Sequence, residues 1–132
     1  MNEVAAELPT ARIGRTISVF DLESYAIVVG AADQAAGREV PGGLLLGLMS
    51  AASSVWCERS GRSNSFSYGY DELRLGATMV AGDTATVVYA PREWTDGGQR
   101  LVSDVDVRRQ DGAIAASARH ILWFPPSSEN SC

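Results

Sequence analysis

His120 is the only histidine among the 132 residues, so any imidazole chemistry in this chain depends on it. It stands in an alternating segment and shares its parity with Ile114, Ala116, Ala118, Leu122 and Phe124. Alternation of this kind is typical of a strand, with one parity facing the core. The ring is therefore expected to face an apolar layer, where burial lowers the imidazole pKa and keeps it neutral. A hydrogen-bonded core or interface residue and a catalytic base both fit this position.

A second candidate for chemistry is a set of backbone N–H groups at the start of a predicted helix. Pro41, Gly42 and Gly43 precede a long apolar run, and a helix is predicted to begin there. The first N–H groups of a helix have no intrahelical acceptor, and the positive end of the helix dipole lies beside them. Glycine permits close approach of a ligand to such groups. The alternative is that Pro-Gly-Gly only starts the helix well and packs against a sheet.

The remaining composition excludes several function classes. Net charge is −5 without a block of Lys or Arg, which argues against a nucleic-acid partner or an anionic membrane surface. Cys57 lies in an apolar run and is expected to be a buried, unreactive thiol, while Cys132 ends a polar tail, so neither a disulfide nor a metal site is predicted. No signal or membrane-spanning segment is recognised, so a cytoplasmic location is expected. No cofactor is expected either.

Two periodicities must position these groups. The run Leu44–Arg59 is apolar on most sides of a helix, which predicts a helix enclosed by its own domain. A strand over Arg12–Val19 and a short helix capped by Asp21 and ending near Val29 precede it. Alternating segments follow it, and they are Ser65–Leu75, Thr84–Arg92, Arg100–Arg109 and Ala113–Phe124. Turns are predicted at Ala81–Asp83, Asp96–Gly98 and Asp111-Gly112. Phe66, Tyr68 and Tyr70 are expected on one face.

Three stretches resemble the MaoC-like (R)-specific enoyl hydratase/dehydratase family. VPGGLLLGLMSA at 40–51 is similar to the start of that family's central helix. SYGYDELRL at 67–75, followed by MVAGDT at 79–84, is similar to its next strand and turn, and Gly14-Arg15-Thr16 is similar to its opening. The resemblance implies an α+β hotdog fold, a curled antiparallel sheet wrapped around one long buried helix. It covers a single domain over residues 10–125, with residues 1–9 and 126–132 as flexible tails.

The family eliminates water reversibly across the Cα–Cβ bond of an acyl thioester, using Asp and His five positions apart in a D-x-N-P-x-H loop. The corresponding loop here, GAADQAAGREV at 30–40, is shorter and lacks Asn-Pro. Asp33 could occupy the acid position, but Arg38 stands where the histidine is expected, and a guanidinium stays charged at any working pH. The usual dyad is missing, so Asp33 and His120 are the catalytic candidates that remain.

The resemblance also implies a set of binding residues. Gly42 and Gly43 would hold the thioester carbonyl and stabilise the enolate formed by α-proton removal. Arg38 would anchor a phosphate or carboxylate, or would be a surface residue. Tyr68 would line a ligand tunnel, or would belong to the core. Arg74 is interpreted as structural, paired with a carboxylate such as Asp83.

Three functions remain open, and the first is favoured. The chain is a dehydratase or hydratase subunit for a β-hydroxyacyl or enoyl thioester of coenzyme A or acyl carrier protein, lacking its own dyad and working in a heteromer. Alternatively it is a stand-alone isomerase, cyclase or thioesterase acting on a polyketide-like intermediate. The third possibility is a non-catalytic acyl-binding module. A homodimer, or a heterodimer with another hotdog subunit, is expected, with no metal, nucleic acid or membrane.

Overall fold

The computed structural model describes the backbone of residues 3–4 and the residues 8–30, 38–62 and 65–125. Eight main elements follow one another along the chain. They are β1 (Glu3–Val4), β2 (Ala11–Thr16), α1 (Val19–Val28), α2 (Gly42–Ser60), β3 (Phe66–Leu75), β4 (Thr84–Thr95), β5 (Arg100–Arg109) and β6 (Ile114–Trp123). A short 3-10 segment at Asp96–Gly98 joins β4 to β5.

The strands form one antiparallel sheet whose two edges are far apart in the chain. The order across it is β3-β6-β5-β4, and β1 and β2 both pair with β4 at successive positions along that strand. Two hairpins link β4 to β5 and β5 to β6. The chain must therefore cross the sheet between β2 and β3, and the two helices make that crossing.

The core lies between α2 and the inner face of the sheet. Met49, Ala52 and Trp56 on α2 are 0% exposed. They pack with inward residues of β4, β5 and β6, among them Ala85, Val87, Tyr89, Val105, Val107 and Ala116. Trp56 also donates from Nε1 to the carbonyl oxygen of Pro9 at 2.7 Å, which satisfies the polar atom of a buried ring.

α2 is the central helix that the sequence predicts, but the sheet covers it less completely than the apolar run predicts. Gly43, Gly47, Ser50, Ala51 and Ser54 are exposed, so the sheet covers one face of the helix. The reason is that one sheet can contact only one side of a helix, and the residues on the opposite side are small. Burying them would release little apolar area.

The start of α1 differs from its prediction. Ser18, not Asp21, is the N-cap residue, and β2 ends at Thr16 instead of Val19. Ser18 Oγ accepts from the Asp21 amide at 3.0 Å, and Asp21 Oδ2 accepts from the Ser18 amide at 2.9 Å. This reciprocal capping box satisfies two donors at once and fixes the N-cap three residues before Asp21.

An irregularity in β3 overturns the predicted common face of its aromatics. The pairing with β6 shifts between Ser67 and Gly69, which leaves Tyr68 as an extra residue. Phe66 and Tyr68 are exposed, whereas Tyr70 lies opposite His120 and its hydroxyl is 2.8 Å from Ser50 Oγ. A bulge of this kind reverses side-chain parity beyond it.

The predicted pairing of Arg74 with Asp83 is also wrong. Asp83 accepts from the Val80 amide at 2.9 Å and from Gln110 Nε2 at 2.7 Å, which closes the turn before β4. Arg74 lies in β3 beside Ser117 of β6, at the other edge of the sheet. The two residues are separated because β3 and the turn before β4 lie at opposite sides of the sheet.

Gly76 provides a test of the packing where β3 ends. Its amide donates to the Ala115 carbonyl at 2.9 Å, and a methyl group at Gly76 would overlap the Ile114 carbonyl oxygen. We expect Gly76→Ala to lower the free energy of unfolding by about 1–3 kcal/mol, since backbone must move. The control is Gly47→Ala, where a methyl meets open space in mid-helix and should add about 0.5–1 kcal/mol. Urea unfolding of both variants checks this, and equal stability of Gly76→Ala and wild type would contradict it.

Candidate functional site

A cavity of about 760 Å³ opens where α2 begins. Its walls come from α1, from the residues before α2, and from the segment that follows β3. Most of the lining is apolar, and it includes Leu22, Ala26, Val40, Leu45, Leu75 and Met79. The polar side chains in the lining are Tyr25, Arg38, Glu39 and Thr78. An apolar pocket with a few convergent polar groups is the usual form of a small-molecule site.

Local structure explains why these walls meet. Leu22, Tyr25, Ala26 and Val29 follow helical spacing and share the face of α1 that lines the cavity. The opposite wall is an isolated antiparallel bridge between Glu39 and Val80. The Val40 amide donates to the Met79 carbonyl at 2.8 Å, and the Ala81 amide donates to the Arg38 carbonyl at 2.9 Å. The bridge fixes the backbone of Arg38 and Glu39 at the cavity.

The first turn of α2 presents unused donors to this cavity. Pro41 is the N-cap residue, has no N–H of its own, and provides no side-chain cap. Its carbonyl accepts from the amides of Leu44 and Leu45, at 3.0 and 3.3 Å. The amides of Gly42 and Gly43 stand before that ladder, so they are available to an oxygen atom, and the helix dipole favours a partial negative charge there.

Two side chains lie directly against this turn. A methyl group at Gly43 would overlap the Tyr25 hydroxyl, and one at Gly42 would lie 3.1 Å from Leu75 Cδ1. Glycine is therefore needed at Gly43 to let the phenol of Tyr25 reach the start of the helix. This places a hydroxyl group beside the free amides, where an oxygen ligand would bind.

The structure brings some predicted site residues together and separates others. Arg38 and Gly42 line the cavity, and Gly43 lies behind Tyr25. Asp33 lies outside the described residues. Tyr68 does not line this cavity: the residue is 60% exposed and the Arg100 guanidinium lies 4.7 Å from its ring, so its tunnel position stays a prediction.

His120 is 0% exposed and lies outside the cavity lining. Its Nδ1 is 2.6 Å from the Tyr89 hydroxyl and its Nε2 is 2.8 Å from Ser67 Oγ. Burial lowers the pKa of His120 to about 4, and burial also raises the pKa of Tyr89 above its usual value. The predicted neutral, buried ring is confirmed, and a catalytic role for His120 stays a prediction.

Sequence reasoning missed Tyr25, Glu39 and Thr78 as cavity residues. Tyr25 could have been found from its spacing of three and four to Leu22 and Val29 on α1. Glu39 stands three positions before Gly42 and is the carboxylate closest in sequence to the helix start. Thr78 gave no sequence signal, because its place depends on how the segment after β3 folds back.

Two further searches covered the residues that the structure describes. They contain no cluster of three or more His, Cys, Asp or Glu side chains suited to holding a metal ion. Neither α1 nor α2 combines the length and hydropathy that a membrane crossing requires.

No family model matches the chain, and no curated protein matches it. Solved structures do. The (R)-hydratase PhaJ1 of Pseudomonas aeruginosa superposes with a TM-score of 0.74 at 20% identity, over 95% of this chain and 88% of that one. A chain of the ChsH1-ChsH2 complex of Mycobacterium tuberculosis gives 0.73 at 18%, over 89% and 96%. A mutant of the fluoroacetyl-CoA-specific thioesterase FlK gives 0.69 at 17%, over 87% and 84%.

These likenesses show the fold. The antiparallel sheet with one central helix is the hotdog arrangement that the sequence predicts. At identities of 17–20% the likeness extends to the fold alone.

The pKa of His120 predicts how stability depends on pH. The unfolded ring takes up a proton near pH 6.5 and the folded ring only near pH 4. Acidification through this window therefore favours the unfolded chain, by at most about 3 kcal/mol. Urea unfolding between pH 7 and pH 4.5 should show this loss. His120→Gln should remove most of the slope above pH 5 whatever its own stability, because the chain has no other histidine and the carboxylates with lowered pKa values contribute only at lower pH; an unchanged slope above pH 5 in that variant would contradict the assignment.

Proposed function

We propose that this domain binds an acyl thioester of coenzyme A or acyl carrier protein in the cavity at the start of α2. We further propose that it serves as the dyad-lacking subunit of a heteromeric dehydratase or hydratase. The observation that carries the proposal is the uncapped first turn of α2, where Gly42 lines an apolar cavity and Gly43 lies behind the Tyr25 side chain. Its described lining contains no imidazole.

A thioester fits this cavity at three points. Its carbonyl oxygen would accept from the free amides of the helix start, which also favour the negative charge of an enolate. The acyl chain would lie along apolar wall residues such as Leu45 and Met79. Arg38 is exposed at the cavity, where its guanidinium would pair with a phosphate of the carrier.

Hydration also needs a group that moves a proton at the α-carbon and another at the β-oxygen. Arg38 cannot exchange its proton at working pH, and His120 is buried elsewhere. A partner subunit carrying the complete Asp and His pair would provide both groups. With this division of roles, a cavity that binds the thioester carbonyl at the start of α2 (the carbonyl site) could take part in hydration without its own Asp and His pair.

The exposed edge of the sheet offers a place for that partner. Among the described strands β3 pairs only with β6, which leaves its other edge free. Phe66, Leu73 and Leu75 are exposed along it at 57%, 43% and 63%. An open apolar edge of this length favours pairing with another strand. We propose that a second hotdog subunit, or a second copy of this chain, adds its own edge strand here.

A second candidate function is favoured by Glu39 and Tyr25. Both side chains line the cavity beside the carbonyl site. A carboxylate could remove an α-proton or activate water, and a phenol could donate to an oxygen. The chain would then act alone as an isomerase, cyclase or thioesterase, with Asp33 as a further candidate base.

Binding and turnover distinguish these functions. We expect the purified chain to bind a short enoyl-CoA in calorimetry and to leave its enoyl absorbance unchanged. Hydration should appear when a dyad-bearing hotdog subunit encoded beside it is added. Turnover by the chain alone, abolished in Glu39→Gln, would replace the first function by the second. Binding without turnover under all conditions would support an acyl-binding module, and absence of binding would contradict every version.

Arg38 tests the orientation of the carrier. Removing its guanidinium should weaken enoyl-CoA binding by roughly tenfold, the equivalent of about 1.4 kcal/mol, because a charge-assisted contact to phosphate is lost. Arg38→Ala should fold normally since the side chain is exposed. Arg12→Ala is the matched control, an exposed arginine on β2 outside the cavity. Equal affinities of the two variants in calorimetry would remove Arg38 from the site.

A further inference from the structure

We propose a second reactive site, independent of the cavity at the start of α2. In this site Ser67 is a nucleophile that His120 activates, and it forms a covalent ester with a small uncharged acyl group taken from an ester or thioester. Two observations support this inference. The Ser67 hydroxyl, the His120 imidazole and the Tyr89 phenol form a chain of two hydrogen bonds, and Ser67 lines a separate cavity.

The three groups have the geometry of an activated nucleophile. Ser67 Oγ lies 2.8 Å from His120 Nε2, and His120 Nδ1 lies 2.6 Å from the Tyr89 hydroxyl. The ring is also held by its neighbours, with Tyr70 at 4.6 Å between centroids and Tyr89 at 5.5 Å in an edge contact. A nucleophile bonded to a base, with the base oriented by a third group, is the arrangement used in covalent catalysis.

The bulge in β3 creates this arrangement. Tyr68 is the extra residue, so Ser67 and Tyr70 both meet His120 although they are three positions apart. In a regular strand they would point to opposite faces, and one of the two contacts would be lost. Bulges recur next to active sites because they redirect a single side chain.

Ser67 is accessible although its base is not. The residue is exposed and lines a cavity of about 590 Å³ between the second half of α2 and the start of β3. The neighbouring side chains are short and mostly hydroxylic, and they include Ser50, Ser54, Ser65, Cys57 and Leu122. Glu58 is in the same lining and would repel an anionic acyl group, which leaves small uncharged groups as the fitting substrates.

The proton arrangement also permits activation. The Tyr89 phenol stays protonated, since burial raises its pKa. Ser103 is fully buried beside this phenol, and its hydroxyl lowers the pKa of Tyr89 against the larger effect of burial. If Tyr89 turns its proton towards Ser103, its oxygen can accept from His120 Nδ1–H. The lone pair of Nε2 then faces Ser67, and the ring is neutral at pH 7 because burial also lowers the pKa of His120.

The reaction needs no other component than water. Ser67 Oγ attacks the carbonyl carbon while its proton passes to His120 Nε2. The bond from carbon to sulfur or oxygen breaks, and the leaving thiolate or alkoxide takes the proton from Nε2. Water then attacks the acyl ester on Ser67, Nε2 receives a proton from that water and returns it to Ser67 Oγ, and a carboxylic acid leaves.

An alkyl fluorophosphonate probe tests the site on the full chain in its native oligomeric state. We expect a single adduct in the intact mass, located on Ser67 by peptide mapping, and none in Ser67→Ala. Ser60→Ala is the matched control: it lies nearby on α2, outside this cavity, and its hydroxyl bonds to the Cys57 carbonyl. It should be labelled at the wild-type rate.

The base is tested by rates of labelling. His120→Gln should slow labelling by at least roughly tenfold, less than a base with a pKa near neutrality contributes, because the lowered pKa of His120 makes the ring a weaker base. If that variant does not fold, Tyr89→Phe keeps the ring and should slow labelling by about tenfold, because the imidazole loses the group that orients it. Absence of an adduct on Ser67, or labelling of a folded His120→Gln or Tyr89→Phe at the wild-type rate, would overturn the proposal. The contact of Ser67 with His120 would then only join β3 to β6.

Discussion

The apolar face of α2 can leave water only against the inner face of the sheet, and this contact determines where everything else lies. Met49, Ala52 and Trp56 lose all exposure there. Full burial of a large apolar side chain contributes about 1.5–3 kcal/mol, so a few such residues outweigh the preferences of individual loops. Because the chain also has to cross from β2 at one edge to β3 at the other, α2 spans the sheet and carries its two ends to opposite sides of the domain.

The two ends of α2 differ in how their backbone groups are satisfied. At the C-terminal end Gly61 adopts a left-handed conformation, its amide donates to the Glu58 carbonyl, and the Arg62 amide donates to the Cys57 carbonyl. That end is closed by the chain itself. At the N-terminal end Pro41 provides no side-chain cap, and the amides of the two glycines remain available. Free amides at a helix start beside a cavity can donate to an oxygen atom of a ligand. At a helix end whose backbone groups are already hydrogen-bonded, only side chains can bind a ligand.

The fold was predictable because its signals are local and repeat along the chain. Strict alternation over Arg100–Arg109 gave the bounds of β5 without error, and the apolar run gave α2 to within two residues at its start and one at its end. The predictions that failed depend on a single extra residue in a strand or on residues far apart in the sequence. The extra residue Tyr68 reversed the side-chain parity of β3, and a reciprocal capping box places the N-cap at Ser18 instead of Asp21. Which residues line the cavity depends on how α1 and the segment after β3 meet at the start of α2, and a sequence pattern within one element does not determine that meeting.

His120 shows how a correct prediction can miss the chemistry. Parity predicted a buried, neutral ring, but the hydroxyls that satisfy both nitrogens come from Ser67 on β3 and Tyr89 on β4, the strands on either side of the β5–β6 hairpin. A buried imidazole without those partners would cost several kcal/mol, by about 1–3 kcal/mol for each unsatisfied atom, so the hydroxyls are what permit the residue in the core. The same bonds orient the ring towards an exposed serine. The stability of the sheet and the proposed reactivity of Ser67 therefore depend on one pair of hydrogen bonds, whereas the carbonyl site proposed at the other end of α2 depends on neither.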